Sequence, residues 1–248
     1  MKKDVEILEN AKIPESQIIM LGLPDTGLVG VIATAHILEM NKMEYLGSID
    51  SIYFPPMIVI HNGELMAPMR IYGKDNIISL VSEITVPVNA ISEFVEAIVA
   101  WLEEKKPKLV LFLGGLPAPN RLELEKSTCY AIPTTKDLAK LLERSNIPQL
   151  VEGVMVGPYA LLLKECKKRN IPSIALLSES YANYPDPGAA ASVIEALNKI
   201  LDLNVEVESL LKKADEIRLN MRDLMRRTVK EMKQAEKTRE YELPPLYM

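Results

Sequence analysis

Three groups of residues have types and spacing that can do chemistry. The first is the end of the sequence, Leu243-Pro244-Pro245-Leu246-Tyr247-Met248. Leu246 offers an apolar side chain that can fill a pocket. Tyr247 offers a flat ring with one hydroxyl, and Met248 an α-carboxylate that a lysine in a partner can neutralise. Pro244 and Pro245 fix φ and disfavour helix before them, so this end is expected to be extended. Such pre-ordering lowers the entropy cost of docking.

The second group is the loop Gly22-Leu23-Pro24-Asp25-Thr26-Gly27-Leu28-Val29-Gly30. It sits between an expected strand and an expected helix, where backbone N–H groups can turn toward an anion. Its spacing fits neither the dinucleotide fingerprint nor the P-loop, because no Gly-Lys-Ser/Thr is present. It reads either as an anion or small-molecule pocket, or as a tight turn whose glycines allow close helix–strand packing. Asp25 and Thr26 are candidate helix caps.

The third group lies near the ends of expected strands: Glu83, Arg121 and Asp186. Ligands in open α/β sheets bind at the C-terminal strand ends. Arg121 is the most suggestive anion-binding side chain, with a solvated loop charge as the alternative. No nucleophile, base and orienter stand in a recognisable order. Ser127 and Thr128 precede Cys129 without a Gly-x-Ser-x-Gly setting. The two histidines, His36 and His61, fall in an expected helix and beside a hairpin turn. No ligand cluster for zinc is visible. The expectation is a chain without catalysis, metal or cofactor.

Strands and helices alternate from 17 to 201, and these elements must position the three groups. Residues 17–23 read as a buried strand, followed by an amphipathic helix over about 28–41. Residues 57–61 and 64–72 flank Asn62-Gly63, the strongest short hairpin signal, with Pro55-Pro56 marking an edge. A further strand covers 76–83. Ile91, Phe94, Val95, Ile98, Val99 and Leu102 fall at helical spacing; Trp101 lies off that stripe and is a candidate contact surface. Residues 109–113 form a continuous apolar strand, expected in a parallel sheet covered on both faces. A short strand over 129–132, a helix capped by Thr134 or Thr135, a strand over 150–156 broken by Gly153, a helix opened by Pro158, a strand over 171–178 and a helix over 189–201 complete the series. This alternation predicts an α/β domain, a layered mixed sheet flanked by helices.

From about 204 to 240 charges dominate. Val207, Leu211, Ala214, Ile217, Met221 and Leu224 are spaced by three or four, while Glu208–Lys212 and Asp223–Arg227 are favourable i,i+4 pairs. A continuous helix here would be about 50 Å long. The expected organisation is an α/β body over 1–203, a charged helical arm over 204–240 and an extended tail over 241–248. The apolar stripe can instead pair with a second copy.

The net charge of −5 argues against general nucleic-acid binding. No apolar run reaches the roughly 18 residues of a membrane span, and the first residues have no signal-peptide character. Cys129 and Cys166 without Cys-x-x-Cys spacing suit reduced, packed thiols in the cytoplasm.

Several blocks together resemble the proteasome assembly chaperone family. These are Gly22 to Gly30, Phe54-Pro55-Pro56 with the hairpin after it, Gly115-Leu116-Pro117 with Arg121, Glu152-Gly153 to Gly157, and Tyr184-Pro185-Asp186-Pro187-Gly188-Ala189-Ala190. The resemblance covers roughly residues 4 to 215. It implies a fold related to phosphorylase- and hydrolase-type domains, no established catalysis, and action on proteasome α-subunits by binding. The archaeal members it resembles most are homo-oligomers, and a tetramer is the expectation here. The end of the chain resembles the hydrophobic–tyrosine–any-residue terminus with which proteasome-binding proteins enter pockets between α-subunits. Leu246, Tyr247 and Met248 are therefore the implied partner-binding residues. With no ATPase motif present, the implied role is an ATP-independent assembly chaperone or gate-opening activator. The alternatives are a hydrolase- or phosphorylase-type enzyme with a pocket at the Gly22–Gly30 loop, and an oligomeric scaffold with another partner.

Overall fold

The computed structural model describes residues 4–61 and 63–242. One large sheet of eight strands forms its centre. Its strands are β1 (Val5–Glu9), β2 (Ile18–Gly22), β3 (Glu44–Ser51), β6 (Met69–Lys74), β7 (Ile77–Ser82), β8 (Leu109–Pro117), β9 (Cys129–Pro133) and β10 (Ser173–Ser180). Two short strands, β4 (Val59–His61) and β5 (Glu64–Met66), form a separate hairpin.

The spatial order is β1-β3-β6-β7-β2-β8-β10-β9. The middle of the sheet, β7-β2-β8-β10, is parallel. Antiparallel strands flank it, with β6, β3 and β1 on one side and β9 on the other. The mixed α/β layering expected from the alternation is present. The continuous apolar run Leu109 to Leu113 is buried throughout, as a strand covered on both faces must be.

Helices cover both faces. On one lie α2 (Ile91–Lys105) and α4 (Pro158–Lys168), where Phe94, Ile98, Leu102 and Leu162 pack on Leu21, Leu80 and Phe112. On the other lie α1 (Val29–Asn41) and α5 (Pro187–Leu201), with α3 (Lys136–Arg144) beside β9. The Thr135 hydroxyl caps α3 by accepting from the Leu138 N–H at 3.3 Å. Pro158 opens α4 at its first position, where the missing N–H costs nothing.

Four expectations for the α/β body are corrected. The first helix is not amphipathic: its residues from Val29 to Thr34, and His36 and Ile37, are all buried. It lies between the sheet and α5, so it has almost no solvent face. Residues 150–156 are loop rather than strand, joined to β9 only through a bridge between Ala131 and Gln149. Trp101 is no open contact surface, because Glu9 at the end of β1 accepts from its Nε1–H at 2.7 Å and its exposure is 6%. The strand expected over 64–72 is interrupted, and β6 leaves the hairpin to join the main sheet.

The charged segment is helical but not continuous. It runs as α6 (Glu208–Lys212), α7 (Ala214–Asn220) and α8 (Arg222–Glu242), with non-helical ψ at Lys213 and Met221 between them. These breaks turn the chain along the body. Leu210, Leu224 and Met225 are buried in the core layer of α1 and α5, and Thr228 is fully buried. Helix α8 then crosses the short 3-10 turns at Thr26–Leu28 and Val88–Ala90. Tail residues 243–248, and with them Leu246, Tyr247 and Met248, lie outside the described residues, as does Asn62 of the hairpin turn.

Candidate functional site

The C-terminal ends of β2, β7, β8 and β10 meet beneath α8, the position where open α/β sheets hold ligands. Two buried carboxylates stand there, and their surroundings differ.

Asp186 belongs to the turn before α5. Its Oδ2 accepts from Arg121 Nε at 2.8 Å and its Oδ1 from Arg121 NH2 at 3.1 Å, a bidentate pair. The Ala189 N–H donates to Oδ1 at 3.0 Å, so Asp186 caps α5 as well. The Tyr181 N–H donates to Oδ2 at 3.3 Å. Arg121 also donates to the Leu124 carbonyl and stacks 5.0 Å from the centre of the Tyr181 ring. Both members are buried. Arg121 is thus neither a solvated loop charge nor free to take an anion. Its fork ties the loop after β8 to the start of α5.

Asp25 belongs to the turn after β2. It does not cap the following helix, contrary to expectation. Its carboxyl turns toward β8, and Oδ2 accepts from the Gly115 N–H at 3.1 Å. Oδ1 is closed off from water and has no partner. Burial pushes the Asp25 carboxyl well above the usual carboxylate range, against the opposing pull of the Gly115 N–H and of its own backbone N–H. Beside it, the Tyr159 hydroxyl of α4 donates to the Leu21 carbonyl at 2.9 Å and accepts from the Leu23 N–H at 2.6 Å. Burial, with the Asp25 charge as a second cause, pushes the Tyr159 phenol up. This hydroxyl closes the backbone groups at the end of β2, while the ring leans on Phe112 at 5.7 Å.

The glycine loop performs the tight-turn role. A Cβ at Gly30 would collide with the Leu113 carbonyl, so glycine lets α1 approach β8 directly. Gly27 has φ of 65° and faces Ser180.

Next to Asp25 a cavity of about 270 Å³ opens. Leu23, Val86, Ile91, Leu116, Met155 and Leu177 are among its apolar walls, and Gly115 contributes backbone. The loop expected as a strand, 150–156, forms one side. Thr228, Glu231 and Met232 of α8 form the roof. Its lining contains no lysine, arginine or histidine among the described residues. His36 instead donates its Nε2–H to the Glu206 carbonyl at 2.7 Å, and His61 is exposed on β4. Glu83 pairs with Arg70. Cys129 is pushed up to about 12 by burial, which leaves it an inert thiol. Among the described residues no group of His, Cys, Asp or Glu is placed to hold a metal. No described helix is long and apolar enough to cross a membrane.

The PAC2 family model matches residues 19–225, which include Asp25, Gly115, Arg121, Tyr159 and Asp186 but not the roof residues Thr228, Glu231 and Met232. The chain belongs to the PAC2 family. An uncharacterized protein of Methanocaldococcus jannaschii is 31% identical over 250 residues, covering the whole of both chains. The crystal structure of Pyrococcus furiosus PbaA, an archaeal homolog of proteasome-assembly chaperone, is 33% identical. It matches with a TM-score of 0.85 over 90% of this chain and 97% of its own. Pyrococcus furiosus PbaB, an archaeal proteasome activator, matches with a TM-score of 0.74 over 90% of this chain and 99% of its own; at 24% identity this shows a shared fold. The large mixed sheet flanked by helices is thus an architecture shared with these structures.

Of the residues the sequence singles out, the structure brings Asp25 and Gly115 together, and Arg121 and Asp186. It places Glu83 and both histidines in other surroundings. Tyr159 has no motif around it. Its only sequence signal is a tyrosine in the first turn of a helix that must pack on an apolar strand.

Proposed function

We propose that this PAC2 protein is an ATP-independent, proteasome-binding protein of the cytoplasm that acts on the core particle as an assembly chaperone, an activator or both. One observation carries the reading: the 33% identity over 90% of the chain to PbaA, an archaeal homolog of proteasome-assembly chaperone. In this reading the body over 1–203 is the platform, the helical segment over 204–240 the connection, and residues 241–248 the docking element. Leu246, Tyr247 and Met248 enter pockets between α-subunits. A single such contact is weak, and several tails on one homo-oligomer, with a tetramer as the first model, raise overall binding by about 10²–10⁴ where geometry allows. Exposed apolar side chains suit self-association. Ile58, Ile60 and Leu65 at the β4–β5 hairpin are 56%, 70% and 70% exposed.

The bonding of the two carboxylates supports binding rather than catalysis. Neither has a nucleophile or histidine within the contacts described above. The test is co-elution with purified archaeal core particle. Tyr247→Ala is expected to lose co-elution while its oligomeric state stays that of the parent chain. Full co-elution of Tyr247→Ala would place the contact on the body and refute the tail.

A further inference from the structure

The buried Asp25 and the cavity beside it form an arrangement that tail docking does not use. Four features bear on what it holds. First, the cavity is about 270 Å³, just under the range of roughly 300–1,000 Å³ typical of small-molecule pockets. Second, its walls are mainly aliphatic, and its polar side chains are few: Asp25, Thr26, Thr85, Tyr159, Thr228 and Glu231. Third, the hydroxyls of Tyr159 and Thr228 are committed to backbone carbonyls, those of Leu21 and Leu224. Fourth, Asp25 has one satisfied oxygen and one orphan. A buried polar atom without a partner is costly, and each such atom in a folded protein calls for an explanation.

The direction of the missing hydrogen bond follows from the satisfied one. Gly115 N–H requires Oδ2 to be an acceptor. In an enclosed site the neutral carboxylic acid is the favoured form, so Oδ1 carries the proton and needs an acceptor opposite it. Asp25 lines the cavity, and the torsion that turns an aspartate carboxyl is broad, so rotation of the carboxyl can bring Oδ1 toward it. Charge narrows the choice further. With no cationic side chain in the lining and Glu231 in the roof, a carboxylate or phosphate would meet only acidic neighbours. An ammonium would require Asp25 to ionise in an apolar enclosure, at the cost of a buried ion pair.

We propose that this cavity binds a small, uncharged, mainly aliphatic molecule whose single carbonyl-type acceptor takes a hydrogen bond from Asp25, beneath the roof of α8. Binding there does not require the tail to dock anywhere, and it survives if the proteasome reading fails. It also departs from phosphorylase-type chemistry, which needs a phosphate site that this lining does not provide.

The test uses three probes of equal chain length with the full chain: hexanamide, hexanoate and hexylamine, titrated by calorimetry and by NMR of labelled protein. Hexanamide is expected to bind saturably, with a dissociation constant on the order of 1 mM or below for so few atoms. Hexanoate and hexylamine are each expected to bind at least about tenfold more weakly, the worth of one good hydrogen bond or an unpaired charge. Asp25→Leu, which keeps the bulk and removes the donor, is expected to lose roughly the same tenfold for hexanamide. Met155→Trp, which fills the cavity from the side loop and leaves Asp25 intact, is expected to abolish binding and decides the matter if Asp25→Leu does not fold. No saturable hexanamide binding, hexanoate or hexylamine binding as tightly as hexanamide, or undiminished binding to a folded Asp25→Leu or Met155→Trp protein would overturn the proposal.

Discussion

Asp186 and Asp25 are both carboxylates enclosed at the C-terminal edge of the same sheet, and they are built to opposite specifications. Both oxygens of Asp186 are occupied twice over, by Arg121, Tyr181 and Ala189. Asp25 takes one bond from another residue, Gly115, and has an orphan oxygen at the edge of a cavity. A fully satisfied buried pair is a fastener, since nothing remains on it for a ligand to take. A half-satisfied group keeps one hydrogen-bonding position open, and burial favours its neutral form. Sequence position alone gives the two the same appearance, a carboxylate in a turn after a strand.

The largest effect is expected from breaking the fastener. Arg121→Ala leaves Asp186 buried without its counter-charge, and the expected loss is about 3–5 kcal/mol, read as a drop in the urea midpoint. A loss below about 1 kcal/mol, the scale of an exposed ion pair, would mean that the pair is solvated and the contrast with Asp25 is false. Tyr159→Phe comes next. It keeps the ring against Phe112 and removes the hydroxyl between the Leu21 carbonyl and the Leu23 N–H. The expected cost is about 1–3 kcal/mol, again from denaturant unfolding.

Asp25→Asn sharpens the comparison through pH. Asp25 holds its proton in the folded chain above the ordinary value of 3.8, at which the unfolded chain releases it. Folding therefore takes up a proton, and the contribution of Asp25 to stability falls as pH rises from 3.8 through its raised folded value. Below 3.8 both states are protonated and the dependence vanishes. Asparagine has no such dependence. Between about pH 5 and 8 the difference in midpoint is expected to move in favour of Asp25→Asn; a movement in the other direction would show that Asp25 is ionised and paired. The smallest effect belongs to Thr135→Ala. This removes the cap of α3, far in role from either carboxylate, and should cost about 1 kcal/mol. It sets the scale against which the buried groups are judged.

Much of the body is legible in the sequence. The apolar run at 109–113 and the helical stripe from Ile91 to Leu102 each have a single physical solution, a strand covered on both faces and a helix packed on it. The glycine loop is legible as a tight turn. The edge strand β1 and its neighbour β3 are not, because many of their residues are only partly buried and several carry charge, as in Val5-Glu6-Ile7-Leu8-Glu9. The Arg121–Asp186 pair joins residues 65 apart, and no local pattern announces such a partner. The C-terminal stripe reads as one helical phase, and the breaks at Lys213 and Met221 change that phase. Leu210 and Met225 are buried as a result, while Leu211 is 47% exposed. That same turning brings Thr228, Glu231 and Met232 over the cavity, a roof that charge-rich composition disguises as an arm.

The most direct test of the proteasome reading is peptidase activity of a closed-gate archaeal core particle, measured with the full chain and with residues 246–248 removed. The account predicts a faster turnover of small peptides with the full chain and no stimulation by the shortened one. Equal stimulation by both, in the same assay, would contradict it and assign the contact to the body.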